Sequence, residues 1–380
     1  MNNWEGCNKM RSWNSITLGE VLPFKYGKNL PASKRTHSGE YDVVSSAGII
    51  DSHDTAFTTE PCIVIGRKGS IGSLTYCPDP VWPTDTTFYV TGTPYCDLRF
   101  GYYVLQTLPL NQMNNDSAVP GLNRNDAESL AFSLPPVSEQ KTIAKVLGSL
   151  DDKIAANQRT IQSADSLRNA LWDKLLKTNT ESLPLSSLAE FINGRAFTKN
   201  ATGTGRVVAR IAELNSGIGS NTVFNDIEVH QNHVVLPGEL LFAWSGTLMT
   251  KRWPYDEAIV NQHIFKVLPI SKFDLWALEL IIQSQIHYFQ MIAAGKATTM
   301  GHIKRADLDK TVEVPTSIPD KLNMLGKTLW MLASQAEQEN QTLARTRDEL
   351  LPLLMSGKIT VRDAEEASAE VGVDKHEVKE

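Results

Sequence analysis

Apolar positions recur at two different periods along the chain, and the change from one to the other happens twice. Between residues 14 and 136, short β-branched or aromatic runs such as CIVIG (62–66) and TTFYV (86–90), bounded by Gly, Pro and Asp, predict strands. The stretch FGYYVLQTL (100–108) predicts a buried helix. After the double proline at 135–136 the period lengthens. Ile143, Leu147, Leu150, Ile154, Asn157, Ile161, Ala164, Arg168, Leu171 and Leu175 step by four and three, the a/d spacing of a heptad helix. Ser138 is the expected N-cap, and the helix should run to about Lys177, a rod of roughly 60 Å at 1.5 Å per residue.

The second half repeats the plan. Strand-like runs VVLPGELLFAWSG (234–246) and IVNQHIFKVL (259–268) precede a predicted helix over 272–294. A second heptad series follows, Leu325, Leu329, Leu332, Ala336, Glu339, Leu343, Thr346, Leu350, Leu353 and Gly357, each 182 residues after its counterpart. It should begin near Pro319 and Asp320, with Pro352 expected to kink its last turns. VPGLNRNDAESLAFSLPP (119–136) matches TMGHIKRADLDKTVEVPT (299–316) at an offset of 180, and LGEV (18–21) echoes LAEF (188–191), with Gly27 and Gly194 after them.

This order predicts a mixed α/β fold with a pseudo-twofold internal repeat. Two domains of largely antiparallel sheet plus helices, 14–137 and 184–317, alternate with two long helices, 138–180 and 318–358. The helices should pair antiparallel as a coiled coil. Both seams lose their apolar pattern at the same place, Asn157 and Glu339. A buried polar pair there would fix register; the alternative is that both residues face solvent or a partner helix.

Composition narrows the class. At 380 residues, 41% hydrophobic and 21% charged, the chain can bury two ordinary cores. Cys7, Cys62, Cys77 and Cys96 form no CxxC pair, which argues against a zinc site or a disulfide framework. With no apolar leader and no membrane-length run, the expected location is the cytoplasm. The net charge of −6 includes −4 from seven acidic and three basic residues in 362–380, a tail expected to be disordered. Any nucleic-acid surface must therefore be local, and a general DNA-coating role is excluded.

Catalytic and metal motifs are missing. GRKGSIG (66–72) lacks the order of a phosphate-binding P-loop, no Gly-rich cofactor fingerprint joins a strand to a helix, and no NPPY or DPPY motif of the adenine methyltransferases is present. Neither Pro78-Asp79 nor Pro319-Asp320 has a Glu-x-Lys nearby, and the ligand-like spacing of His230 and His233 is more often a surface coincidence. The chain reads as non-catalytic and without a metal.

The twofold plan, the RKGSIG turn after a β run (67–72), the stretch LPPVSEQKTIAKVLGSLDDKI (134–154) and the closing RDELLPLLMSGKI (347–359) together resemble the specificity (S) subunits of type I restriction-modification systems. The resemblance covers almost the whole chain. The second copy departs from it, reading VPTSIPDKLNML at 314–325 without Glu-Gln, which makes the two partner surfaces unequal. The resemblance implies two target-recognition domains that each read half of a bipartite, asymmetric site in double-stranded DNA, with the helices setting the spacing. It implies two methyltransferase subunits and restriction subunits as partners; these would use S-adenosylmethionine, ATP and Mg, while this chain binds no cofactor.

Arg and Lys serve both phosphates and guanine edges, and glycines admit close backbone approach. The first domain's DNA candidates are therefore Arg67, Lys68 and Ser70, then Lys25, Lys28 and Asn29, then Asn123, Arg124 and Asn125. In the second domain they are Trp244, Ser245, Thr247, Lys251 and Arg252 in AWSGTLMTKR, with Asn261, Gln262, His263, His302, Lys304 and Arg305. For each residue the competing reading is a solvated surface or turn position, and for Trp244 it is the core. Alternatives for the whole chain are the specificity subunit of a related phage-defence or fused restriction system, a self-sufficient DNA enzyme, and a coiled-coil scaffold that binds only proteins.

Overall fold

A computed structural model describes residues 13–113, 121–294 and 303–373. The chain forms two compact units, one up to Asp152 together with the segment from Leu343, the other Lys153–Thr342.

The first unit opens with β1 (Asn14–Thr17), α1 (Leu18–Val21), β2 (Lys25–Tyr26), β3 (Tyr41–Ser45), β4 (Gly48–His53) and β5 (Cys62–Gly66). It continues through β6 (Leu74–Cys77), β7 (Trp82–Pro83), β8 (Thr87–Thr91), α2 (Leu98–Thr107), α3 (Arg124–Glu128) and β9 (Ala131–Leu134). One sheet has the order β2-β8-β5-β6, all antiparallel; the other, β4-β3-β7, contains a parallel β3–β7 pair. CIVIG is buried at every position because β5 lies between β8 and β6 and has no solvent face. A separate ladder, β1 against β9, pairs Asn14 with Leu134 and Thr17 with Ala131, tying the unit's entry strand to its exit.

From β9 the chain enters α4 (Val137–Leu176), which starts in the first unit and ends in the second. Its start differs from the sequence expectation. Glu139 N and Gln140 N donate to Pro136 O, so Ser138 lies within the first turn and is not the cap. Gln140 is fully buried, with Nε2 donating to Tyr95 O and Pro135 O and Oε1 accepting from Asp97 N. That threefold bond explains the Glu-Gln signature: its Gln fastens the helix start to the loop before α2.

The second unit runs β10 (Thr180–Pro184), β11 (Ala189–Asn193), β12 (Arg206–Ala209), α5 (Ile211–Ser216), β13 (Phe224–Asn225), β14 (Val234–Val235) and β15 (Leu240–Ala243). After these come β16 (Met249–Arg252), β17 (Ala258–Val260), β18 (Ile264–Pro269), α6 (Leu275–Ala294), β19 (Thr311–Pro315) and α7 (Asp320–Met355), whose last turns belong to the first unit. The plan repeats: a sheet β11-β18-β15-β16, a second sheet β13-β12-β17-β14 with one parallel pair, and a closing ladder of β10 on β19.

The α4 seam is buried at Ile143, Leu147, Leu150, Ile161, Ala164, Leu171 and Leu175. Within the second unit, Ile161 and Ala164 pack on Leu329, Ala333 and Ala336. Asn157 meets Glu339 and Arg168 meets Trp330, so the two helices run antiparallel there. In the first unit Asp151 pairs with Arg347 in the same sense.

The α7 seam is buried as expected at Leu329, Ala336, Leu343 and Leu350, but not at Leu325 and Leu332. Leu325 and Leu332 are 46% and 44% exposed, and Gly326 and Trp330 take the inward positions. The Trp276 ring lies so close to Gly326 that a Cβ would come within 2.3 Å of it, and Trp330 is held between the guanidinium groups of Arg168 and Arg252, each 5.0 Å from its ring. These two aromatic contacts turn the helix by one position.

The tail also departs from expectation. Val361–Glu370 forms α8, capped by Thr360, whose Oγ1 accepts from Asp363 N. Residues 374–380 lie outside the described residues. No described helix is long and apolar enough to cross a membrane.

Candidate nucleic-acid interface

The β5–β6 hairpin turns through residues 67–73. Gly66 N donates to Ser73 O and Gly72 N to Gly66 O, both at 2.8 Å. Gly69 and Gly72 adopt φ of +75° and +71°, a conformation that L side chains rarely take. Arg67 N and Lys68 N both donate to Thr86 O, at 2.9 and 3.1 Å, which fixes the loop base to the segment before β8. Lys68 and Ser70 are left exposed at the tip.

Arg67 does not project freely. Its guanidinium lies 5.5 Å from the Tyr26 ring and 5.7 Å from the Phe88 ring, and Nη2 donates to Asp85 O at 2.6 Å. Tyr26 and Phe88 are direct cross-strand partners with ring centroids 5.0 Å apart. Lys25 lies over Tyr89, and Lys28 over both Phe57 and Trp82. Arg67 thus sits on the Tyr26–Phe88 pair, while Lys25 and Lys28 sit on a separate set of rings, Tyr89, Phe57 and Trp82, in which Phe57 touches the other two. Asn29 is exposed next to Lys28.

The segment 123–125 reaches this loop through Leu122 N, which donates to Arg67 O at 2.9 Å. Asn123 and Arg124 also have local partners. Asn123 Oδ1 caps α3 by accepting from Asn125 N and Asp126 N, and Arg124 pairs with Glu128 at 3.0 Å, so both serve the helix locally. Asn125 is exposed.

In the second unit the same backbone frame carries different side chains. β15 ends at Ala243, after which Trp244 N donates to His263 O at 3.1 Å and Trp244 O accepts from Ile303 N at 3.2 Å. Trp244 Nε1 donates to Asn193 Oδ1 at 2.9 Å, and the indole packs on His263 and Phe265, 5.4 and 5.8 Å away. Gln262 Nε2 lies 3.2 Å from His263 Nε2.

Residues 10–165 match the family model described as the type I restriction modification DNA specificity domain. That stretch of the chain is similar to the type I DNA specificity family. The type I restriction enzyme EcoprrI specificity subunit of Escherichia coli is 26% identical over 145 residues, 36% of this chain and 35% of that protein. A type I specificity-subunit relative from Mycoplasma genitalium is 26% identical over 199 residues, 48% of this chain and 49% of its own length. This chain thus aligns with half or less of the length of these curated relatives. The crystal structure of a type I restriction-modification S subunit from M. genitalium shares the fold, with a TM-score of 0.62 at 16% identity over 92% of this chain and 97% of that one.

The remaining second-unit candidates divide by burial. Arg252 is corrected outright. Its side chain is 4% exposed and fully engaged: Nη1 and Nη2 bond Asp165 at 2.8 and 2.9 Å, while Nε and Nη2 bond Glu337 at 3.0 and 2.9 Å. Burial works against its charge, but the bonds from Asp165 and Glu337 hold its pKa above the ordinary guanidinium value. Arg252 belongs to a buried ionic cluster with Arg168 and Glu279, where Arg168 Nη2 bonds Glu279 at 2.7 Å. Ser245 and Asn261 are also buried, so their side chains are not displayed at the surface. Thr247, Gln262, Lys304 and Arg305 are exposed; Lys251 and His263 are half-buried; His302 lies outside the described residues.

At the mid-seam pair, Asn157 Nδ2 donates to Glu339 Oε2 at 2.6 Å, and Lys153 lies 3.4 Å from the same carboxylate. Among the described residues no group of three or more His, Cys, Asp or Glu side chains is placed to hold a metal. Sequence reasoning passed over Tyr26, Phe88 and Asn193, which support the loop residues; the signal was the Gly27/Gly194 echo, since Tyr26 and Asn193 immediately precede those glycines.

Proposed function

We propose that this chain is the DNA sequence-specificity subunit of a type I restriction-modification complex in the cytoplasm, a non-catalytic protein whose two units each read one half of a bipartite, asymmetric site. The observation that carries this reading is the repeated loop frame with unlike contents. Arg67 and Trp244 each leave a central strand, donate N–H to a neighbouring loop carbonyl and accept from a later segment, yet one presents a cation and the other an indole. Two readers with one scaffold and different side chains fit an asymmetric target.

The exposed cations Lys25, Lys28 and Lys68 supply phosphate attraction in the first unit, and Lys304 and Arg305 supply it in the second. The long helices set the spacing and bind two methyltransferase subunits, with restriction subunits completing the complex. S-adenosylmethionine, ATP and Mg are assigned to those partners. Expression of the chain with a type I methyltransferase subunit, followed by methylome sequencing, tests the reading. The expected result is adenine methylation at one gapped motif with two unlike halves; methylation without a motif, or none, would refute it.

A further inference from the structure

The two units differ most sharply in a three-residue arrangement that their backbones otherwise reproduce. In the first, Tyr26 and Phe88 are cross-strand partners on β2 and β8, and Arg67 lies across both. In the second, Asn193 and Phe265 are cross-strand partners on β11 and β18, and Trp244 lies beside both. The following glycines are equivalent as well: Gly27 N donates to Thr87 O at 3.1 Å and Gly194 N to Ile264 O at 3.0 Å. One position therefore carries a cation on an aromatic, and its twin carries an aromatic on an amide.

We propose that Arg67 with Tyr26, and Trp244 with Asn193, are the coupled specificity-determining pairs of the two units, Arg67 taking the edge of a guanine and Trp244 taking none. The proposal rests on the DNA-reading function above. A guanidinium offers donors in a planar fork that matches guanine O6 and N7 in the major groove. The Nη2 bond to Asp85 O, with the Tyr26 and Phe88 rings 5.5 and 5.7 Å away, restrains that fork. An indole has a single N–H donor. Trp244 already gives its own to Asn193, so this position in the second unit has no indole N–H left to donate to a base edge. The partners are coupled because each suits one occupant: Tyr26 provides a π face for a cation, and Asn193 provides an acceptor for an indole N–H.

The test exchanges the pairs in the full-length chain, alone and with a type I methyltransferase subunit, against duplex DNA of randomised sequence. In Tyr26→Asn/Arg67→Trp, one half-site should lose its guanine preference by about tenfold or more, while the other half-site is unchanged. In Asn193→Tyr/Trp244→Arg, the other half-site should gain a guanine. Arg67→Lys, which keeps the charge but not the fork, should lose discrimination while keeping salt-dependent affinity for any sequence; it serves as the readout if an exchange lowers the melting temperature. Folded variants that select the wild-type motif unchanged overturn the assignment of these pairs alone. A wild-type chain that selects no motif in either setting overturns the function as well.

Discussion

Lys251 and Arg252 are neighbours on β16 with opposite fates, because successive strand residues face opposite sides. Lys251 is half-exposed, while Arg252 turns inward to Asp165 and Glu337. Arg252→Ala should therefore act on folding, lowering the stability of the second unit by about 3–5 kcal/mol as expected for one partner removed from a buried ionic cluster. Urea denaturation measures the loss, and an Arg252→Ala protein of unchanged stability would remove the cluster from its structural role. The same cluster sets an acid limit. Burial works to raise the Asp165 pKa, but the bonds and charges of Arg252 and Arg168 outweigh it and hold the carboxyl below its ordinary value. A carboxyl with a lowered folded pKa stabilises the protein above its unfolded pKa of about 4, and that contribution disappears as pH falls through the folded value. Denaturation midpoints between pH 5 and pH 3 should fall more steeply for the wild type than for Asp165→Asn.

The helices show what was legible at the scale of elements. The a/d spacing locates α4 to within about a residue, because one apolar stripe at that period has few other ways to be buried. In α7 it misassigns Leu325 and Leu332, since the heptad rule carries no information about Trp276 resting on Gly326 or Trp330 between two arginines; those contacts come from β16, α4 and α6. Arg252 is misread for the same reason: its partners lie 87 and 85 residues away, and a Lys-Arg pair after a loop looks solvated from sequence alone. The hairpin loop around Arg67 was visible through its glycines, while its aromatic platform depends on strand pairing that spacing does not reveal. The Asn157–Glu339 pair separates register from stability. Glu339→Leu leaves the buried Asn157 amide without its carboxylate and should cost about 1–3 kcal/mol. Replacing both residues with Leu should recover wild-type stability or exceed it. A double variant less stable than the single one would show that the pair contributes more than register.

On the scale of the whole molecule, α4 and α7 each run from one unit into the other, and the unit boundaries fall at 152/153 and 342/343. Insertions at those two points leave every contact described within each unit in place, including Asp151–Arg347 and Asn157–Glu339. One heptad in both helices preserves the seam phase and adds about 10 Å, the rise of roughly three base pairs, which turn the duplex by about a third of its helical repeat. On the proposed function, in which each unit reads one half-site at a spacing set by the helices, the two readers would then be out of phase, so methylation should fall sharply whatever the gap. Three heptads in both helices add about 31 Å, close to one turn of DNA. Methylation should return at the same two half-sites with a gap about nine base pairs longer. Methylome sequencing of cells carrying each variant measures the gap directly. Undiminished methylation at the original gap after either insertion would show that the helices do not set it, and would leave the spacing to the DNA-facing loops.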